Sequence, residues 1–566
     1  MPRPVAFLAL LWLACSTHPS QAPAELVLRH GAVYVGDAAG TRAESIAIRA
    51  GVVVAVGADA EVASWIGERT RVVELGGRSV LPGFHDAHVH PVAAGLEAQR
   101  CQLAGILARD ELEARIGACA LAQSERAWVE GGGWELPLFP DANPRRELLD
   151  ALVPDRPALL RSADGHSAWA NSRALRLAGV TRATPDPANG RIERDPHGEP
   201  SGTLREAAIA LVAGKAPPAS AAELDAAVRR GLAQLAQLGV VCAHEANATP
   251  EFLEAYLAWS RSGASGPRLK LALALPDDWA SRDPLPGFEQ ARARAARARL
   301  RADSVKLFLD GVIEARTAAL LEPYQGSDAR GTASFEPDAL GALVARLAAA
   351  GFDVHMHAIG DRAVRMGLDA SERARAADPA GRTRRTLAHL ELVAQSDLPR
   401  FAALEVAPNL QALWAQADPY ITELTIPVLG DERSLGLYPI ASLFAGAAQV
   451  AAGSDWPVSS ADPLAAIEVG ITRRAHDAPA GPGWLPEQHA TLEQMLSAYT
   501  RGGAWLDHAE ASHGTLEPGR AADLVVLDRD LFALAAHEIS DARVLWTIAD
   551  GETIWLAAPS PLAGAR

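Results

Sequence analysis

Cysteine is scarce in this chain: there are four among 566 residues, and none sits in a C-x-x-C arrangement. A cysteine-rich zinc module is therefore not expected. Several catalytic signatures are missing as well. Without G-x-S-x-G, an α/β-hydrolase serine triad has no nucleophile turn. Without G-x-x-x-x-G-K-[ST] there is no nucleotide loop, and without H-E-x-x-H the zincin proteases are out. The run Glu130-Gly131-Gly132-Gly133-Trp134 is no dinucleotide fingerprint, because it opens no clear helix. Positive charge is in the minority, with 53 Lys+Arg against 69 Asp+Glu and a formal net charge of -16. That balance disfavours nucleic acid and anionic membrane surfaces as partners. No internal repeat or long low-complexity tract occurs. The nearest, ARARAARARLRAD at 291–303, reads as an exposed helix with solvated arginines.

One apolar stretch stands apart. MPRP is followed by the run VAFLALLWLA and then Cys15. The run is a secretory h-region, too short to span a bilayer, and no later stretch is long enough to do so. The order Leu11-Trp12-Leu13-Ala14-Cys15 is similar to a bacterial lipobox, although Trp12 replaces the usual small aliphatic residue. The expectation is an exported periplasmic or cell-envelope lipoprotein, lipidated at Cys15, with residues 1–24 as signal and tether. The alternative is soluble secretion by cleavage near Ala24. Cys101, Cys119 and Cys242 are left as an odd set, in which an oxidising compartment permits one disulfide. Cys101 with Cys119 is one candidate pair.

Both ends of the remaining chain read as hairpins. ELVLRHGAVYVG and SIAIRAGVVVAVG near the start, and ADLVVLDRD and VLWTIADGETIWL near the end, are short alternating runs broken by turn residues. The two ends are expected to form one composite β-sandwich, residues 25–82 and 506–566. Between them, at 83–505, strand-like runs alternate with helical ones such as DRAVRMGLDASERARAA. That pattern argues for an α/β parallel sheet or barrel. The stretch 103–300 exceeds what a barrel needs and is expected to hold an inserted lobe.

Five separated segments place chemical groups at the ends of apolar runs. LPGFHDAHVHP carries His88 and His90, SVKLFLDG carries Lys306, DVHMHAIGD carries His357, RTLAHLEL carries His389, and VAAGSDWPV carries Asp455. Barrel enzymes collect catalytic groups at the carboxyl ends of their strands. Side chains alternate along a strand, so His88 and His90 share a face. Two neutral imidazoles on one face suit a cation such as zinc. Lys306 belongs in such a set only if its amine is modified, since an ammonium repels cations. Carboxylation by CO2 makes it an anionic ligand able to bridge two metals.

These segments resemble the metal-dependent amidohydrolase superfamily, in particular the amidohydrolase-3 group that includes N-substituted formamide deformylases. The resemblance runs from about Leu26 to about Leu556. It implies a TIM-like (β/α)8 barrel with the composite β-sandwich. It further implies His88, His90, His357 and His389 as ligands, carboxylated Lys306 as the bridge, and Asp455 as ligand and general base. His85 and His355 are extra histidines beside the motif, and His357 is favoured over His355 because it sits in HAIGD.

The expected chemistry is hydrolysis of a non-peptide, amide-like C–N bond in a small molecule. A metal-bound hydroxide attacks and Asp455 moves the proton. Two Zn2+ per chain are expected, with iron or manganese as alternatives. An esterase, lactonase or isomerase on the same scaffold, and a non-catalytic metal- or ligand-binding lipoprotein, are the alternative readings. Trp134, His166, Arg316 and Trp456 are the expected substrate contacts, with Asn171 and Thr317 nearby and His244 in a supporting place. A lipid anchor is the one membrane contact expected, and a homodimer a candidate assembly.

Overall fold

The apolar runs that carry the site become eight neighbouring parallel strands. In order they are Phe84–Val89, Val240–Ala248, Arg268–Ala274, Arg301–Phe308, Asp353–Ala358, Arg385–His389, Val406–Leu410 and Ala451–Ala452. The computed structural model describes residues 22–478, 481–560 and 562. The export signal and Cys15 lie outside the described residues. Most strand residues are buried on both faces, as helix-covered parallel sheets require. The helices show the matching one-sided pattern. Asp361–Ala377 buries Ala363, Val364, Met366, Gly367, Leu368, Ala370, Ser371 and Ala374, and Ala221–Gln237 starts from a capping box of Ser220 and Glu223.

The eighth strand returns to the first, giving a nearly closed barrel. Two backbone bonds stitch the seam: the Asp455 N–H to the His88 carbonyl at 2.7 Å, and the His90 N–H to the Trp456 carbonyl at 2.9 Å. Asp86 reinforces it from beneath. Its buried carboxylate accepts the Ser454 hydroxyl at 2.6 Å and the Ser454 N–H at 3.0 Å. Gly453 is required at this crossing, because a Cβ there would lie 2.4 Å from the His88 nitrogen.

The chain ends meet in one six-stranded sheet, in which Leu524–Leu527 pairs antiparallel with Ser79–Pro82. A second sheet of four strands, including Leu26–Arg29 and Ser45–Arg49, contributes to the same apolar cluster. Asp550 and Gly551 form the final hairpin turn, both with positive φ (50° and 78°), as a type I′ turn requires.

The inserted lobe is smaller than expected. It comprises a six-stranded sheet with flanking helices, from Cys101–Gln102 to the helix Ala208–Ala213. From Ala221 onward the chain supplies a barrel helix and barrel strands two and three, so the boundary near 300 is corrected. The composition there was misleading because buried parallel strands and lobe strands read alike. A Cys101–Cys119 disulfide ties the first lobe strand to the helix Arg109–Ala122.

Gly453→Ala is expected to force the seam apart and lower stability by about 1–3 kcal/mol. It should also reduce metal content, because His88 moves with its backbone. Unchanged thermal unfolding and full metal content in this variant would contradict the seam's role.

Candidate metal centre

Parallel strands deliver all their carboxyl ends to one rim, and there the distant donors meet. His88 Nε2 lies 3.4 Å and His90 Nε2 3.1 Å from Asp455 Oδ1, and His389 Nδ1 lies 3.8 Å from Asp455 Oδ2. Lys306 Nζ is 3.3 Å from His88 Nε2. The His357 ring packs on that of His389 with centroids 4.6 Å apart. All six side chains face one cavity of about 1480 Å³ between barrel and lobe.

Each donor has a support. His90 turns Nδ1 to Glu245 Oε1 at 3.2 Å, and the other oxygen of Glu245 accepts the Tyr256 hydroxyl at 2.7 Å. His357 turns Nε2 to the Gly311 carbonyl at 3.1 Å. His88 Nδ1 meets His355 Nε2 at 2.9 Å. Trp414 stacks on His389 with an interplanar angle of 9°. Such outer contacts fix ring orientation and tautomer in metal sites. His389 and Asp455 both hold positive φ, 78° and 54°. The left-handed region costs an L-residue roughly 1–2 kcal/mol, so the surrounding structure sustains strain at this rim.

Burial sets the charge states. His88, His357 and His389 are held well below the usual imidazole range by burial. Lys306 adds to this for His88, His166 for His357, and His357 for His389. They are neutral and ready to donate lone pairs. Burial lowers Lys306 to about 8, against the pull of Asp455 and Glu245. For His90, burial is outweighed by Asp455 and Glu245, which raise it to about 9.

The donor set fits a divalent cation. His88, His389 and Asp455 converge so that one atom from each lies within 4.8 Å of the others. Two of the atoms facing this point, His389 Nδ1 and Asp455 Oδ1, are buried without a hydrogen-bond partner. Unpaired buried polar atoms are costly, and a cation satisfies both.

The expected substrate contacts divide. His166 lines the cavity with its ring 5.1 Å from that of His357 and its Nδ1 2.8 Å from Glu206 Oε2. Arg316 and Thr317 also line it. Trp134 does not: its ring is fully buried in the lobe core against Phe139 and Trp169, and its indole N–H donates to the Leu160 carbonyl. Trp456 packs on the barrel core and is absent from the cavity wall, offering its backbone carbonyl to His90. Asn171 caps the helix Ser172–Ala178 and bonds the Ala158 N–H, a fully structural placement. In HEAN it is Glu245 that supports the rim, while His244 turns toward Asp507. Glu245, Tyr256, Glu206 and Trp414 were not singled out from the sequence. Glu245 had one signal, its place beside His244 at a strand end.

Histidine, lysine and aspartate donors at the carboxyl rim of a parallel eight-stranded barrel define a metal-dependent hydrolase scaffold. The chain belongs to the amidohydrolase family (Amidohydro_3), whose sequence profile matches residues 71–555. It is 30% identical to Protein LONG AFTER FAR-RED 3 of Arabidopsis thaliana over 97% of this chain and 96% of that one. It is 27% identical to the N-substituted formamide deformylase of Arthrobacter pascens over 93% of this chain and 97% of the relative. An uncharacterized metal-dependent hydrolase from Pyrococcus furiosus superposes with a TM-score of 0.66 at 26% identity, covering 89% of this chain and 99% of that one. The protein is a hydrolase of this family.

Two outcomes follow from the geometry. Glu245→Gln keeps the shape but removes the charge behind His90, and should weaken metal binding about 10–100-fold in a chelator competition. An affinity unchanged within error would show that Glu245 is no support. Trp134→Ala should cost about 3–5 kcal/mol of stability, read by thermal unfolding, with KM unchanged. A selective rise in KM would return Trp134 to the substrate wall.

Proposed function

We propose that this protein hydrolyses an amide-like, non-peptide C–N bond of a small molecule. The observation that carries the reading is the convergence of His88, His389 and Asp455, with His389 Nδ1 and Asp455 Oδ1 buried and unpartnered, beside the amine of Lys306. The similarity to an N-substituted formamide deformylase supports the choice of C–N bond. Two divalent ions, zinc first, would be held by His88, His90, His357, His389 and Asp455, and a carboxylated Lys306 would add an anionic ligand. When bound, such ions polarise a carbonyl and lower the pKa of water.

The chain's own groups do the rest. Asp455 Oδ1 lies within 3.4 Å of the His88 and His90 rings and has no hydrogen-bond partner. It is free to take the proton of the attacking water as the C–O bond forms. It returns that proton to the nitrogen as the C–N bond breaks, so the amine leaves neutral. His166, held by Glu206, stands beside His357 to bind the substrate's oxygen. Arg316 offers a guanidinium to a carboxylate or carbonyl further out.

The cavity wall bears on the substrate's chemistry. Trp134 lies inside the lobe core and takes no part in that wall. The wall carries the rings of Phe252, Trp279, Phe308 and Phe335 as well as Glu97, Arg100, Arg161, Asp164 and His166, which suits an N-acyl or N-formyl compound with one apolar and one polar end. The cavity exceeds the range of roughly 300–1,000 Å³ typical of small-molecule sites.

An exported lipoprotein tethered through Cys15 remains part of the proposal. The Cys101–Cys119 disulfide supports an oxidising compartment. Cys15→Ser should release or leave unprocessed a protein otherwise found with membranes.

Asp455→Asn should lower kcat by several orders of magnitude, measured on a panel of N-formyl and N-acyl amines, N-acyl amino acids, lactones and aryl esters. Esters or lactones turned over a thousandfold faster than every amide would overturn the C–N reading and leave the metal site standing. Lys306→Ala should lose at least one metal equivalent, with partial restoration by short carboxylates. Full occupancy with normal turnover in that variant would rule out the bridge.

A further inference from the structure

We propose that the amino-terminal floor of the barrel holds a second, structural cation site of the zinc type, distinct from the rim. Its ligands are His85, Cys242 and Asp507, with His244 as the nearest fourth donor. His85 and Cys242 are paired across strands one and two, and His244 follows Cys242 by one full strand repeat. Asp507 arrives from the opposite end of the chain, just after the helix Gly503–Leu506. Gly503 allows the close approach, since a Cβ there would lie 2.3 Å from the His85 Cβ.

The four side chains are between 1% and 5% exposed. His85 Nδ1 and Cys242 Sγ lie 3.0 and 3.1 Å from Asp507 Oδ2. Ordinary hydrogen bonds account for these two contacts. They do not account for the third. His244 Nε2 is 2.6 Å from Asp507 Oδ1, yet neither atom has a hydrogen bond of acceptable direction, and His85 Nε2 is unpartnered too. Buried polar atoms left without an aligned partner are costly, and a cation held by this cluster would satisfy them. Cysteine, histidine and aspartate are the donor types of structural zinc. Charge is compatible: a dication with one thiolate and one carboxylate sums to zero. Residues at this face of a barrel serve stability. A cation here would pin the first two strands to the last helix, with a thiolate formed as the metal displaces its proton.

Cobalt(II) loading tests the site without relying on activity. Cys242 is the free cysteine among the described residues, and the rim centre contains no sulfur donor. The wild-type protein loaded with Co(II) should therefore show a near-ultraviolet thiolate-to-cobalt charge-transfer band. Cys242→Ser should abolish that band while leaving the rim's visible cobalt bands. Asp507→Asn should weaken it, and both variants should hold one zinc equivalent fewer than wild type. If either variant fails to fold, the wild-type measurement still decides. A wild-type spectrum with the rim loaded and no charge-transfer band would overturn the floor site and leave a hydrogen-bonded carboxylate. Loss of the rim bands with the floor band retained would count against the rim reading alone.

Discussion

The seam between the first and eighth barrel strands is the constraint on which this structure depends. The Asp455 N–H bonds the His88 carbonyl, and the His90 N–H bonds the Trp456 carbonyl. Through these two bonds the first donors of the rim and the last, far apart in the chain, become neighbours. Gly453 lets the backbones cross, and Asp86 locks the crossing with the Ser454 hydroxyl. Without closure the donors would line an open sheet edge and could not surround an ion.

Burial gives the rim its chemistry. A low-dielectric setting disfavours charge, so His88, His357 and His389 stay neutral and Lys306 falls to about 8. The carboxylates oppose this trend locally. Asp455 and Glu245 hold His90 near 9 against the effect of burial. The strained backbones of His389 and Asp455 belong to the same design, since rigid support keeps these donors aimed.

Much of this was legible from local pattern. His-x-His on a strand, the lysine in VKLFLDG and the aspartate in GSDWP each declare a strand-end position, and strand ends share one rim in a parallel barrel. Other assignments failed for a physical reason. Residue type alone does not place Trp134 or Trp456, because a large aromatic is stabilised equally by a lobe core or a cavity wall. Asn171 looked polar and available but spends its amide on a helix cap. The lobe boundary near 300 failed because barrel strands two and three, VVCAHEANA and RLKLALA, carry no motif that separates them from lobe strands.

The sequence by itself determined the strand-end positions of these side chains, the parallel alternation and the family, because these reside in residue identity and local period. The tertiary structure alone decided which neighbours each donor meets. Glu245 behind His90, His355 behind His88, Glu206 behind His166 and Asp507 beneath His85 are partners far apart in sequence. No local period encodes such pairs, because they exist only once the sheet has closed and the last helix has packed against its floor.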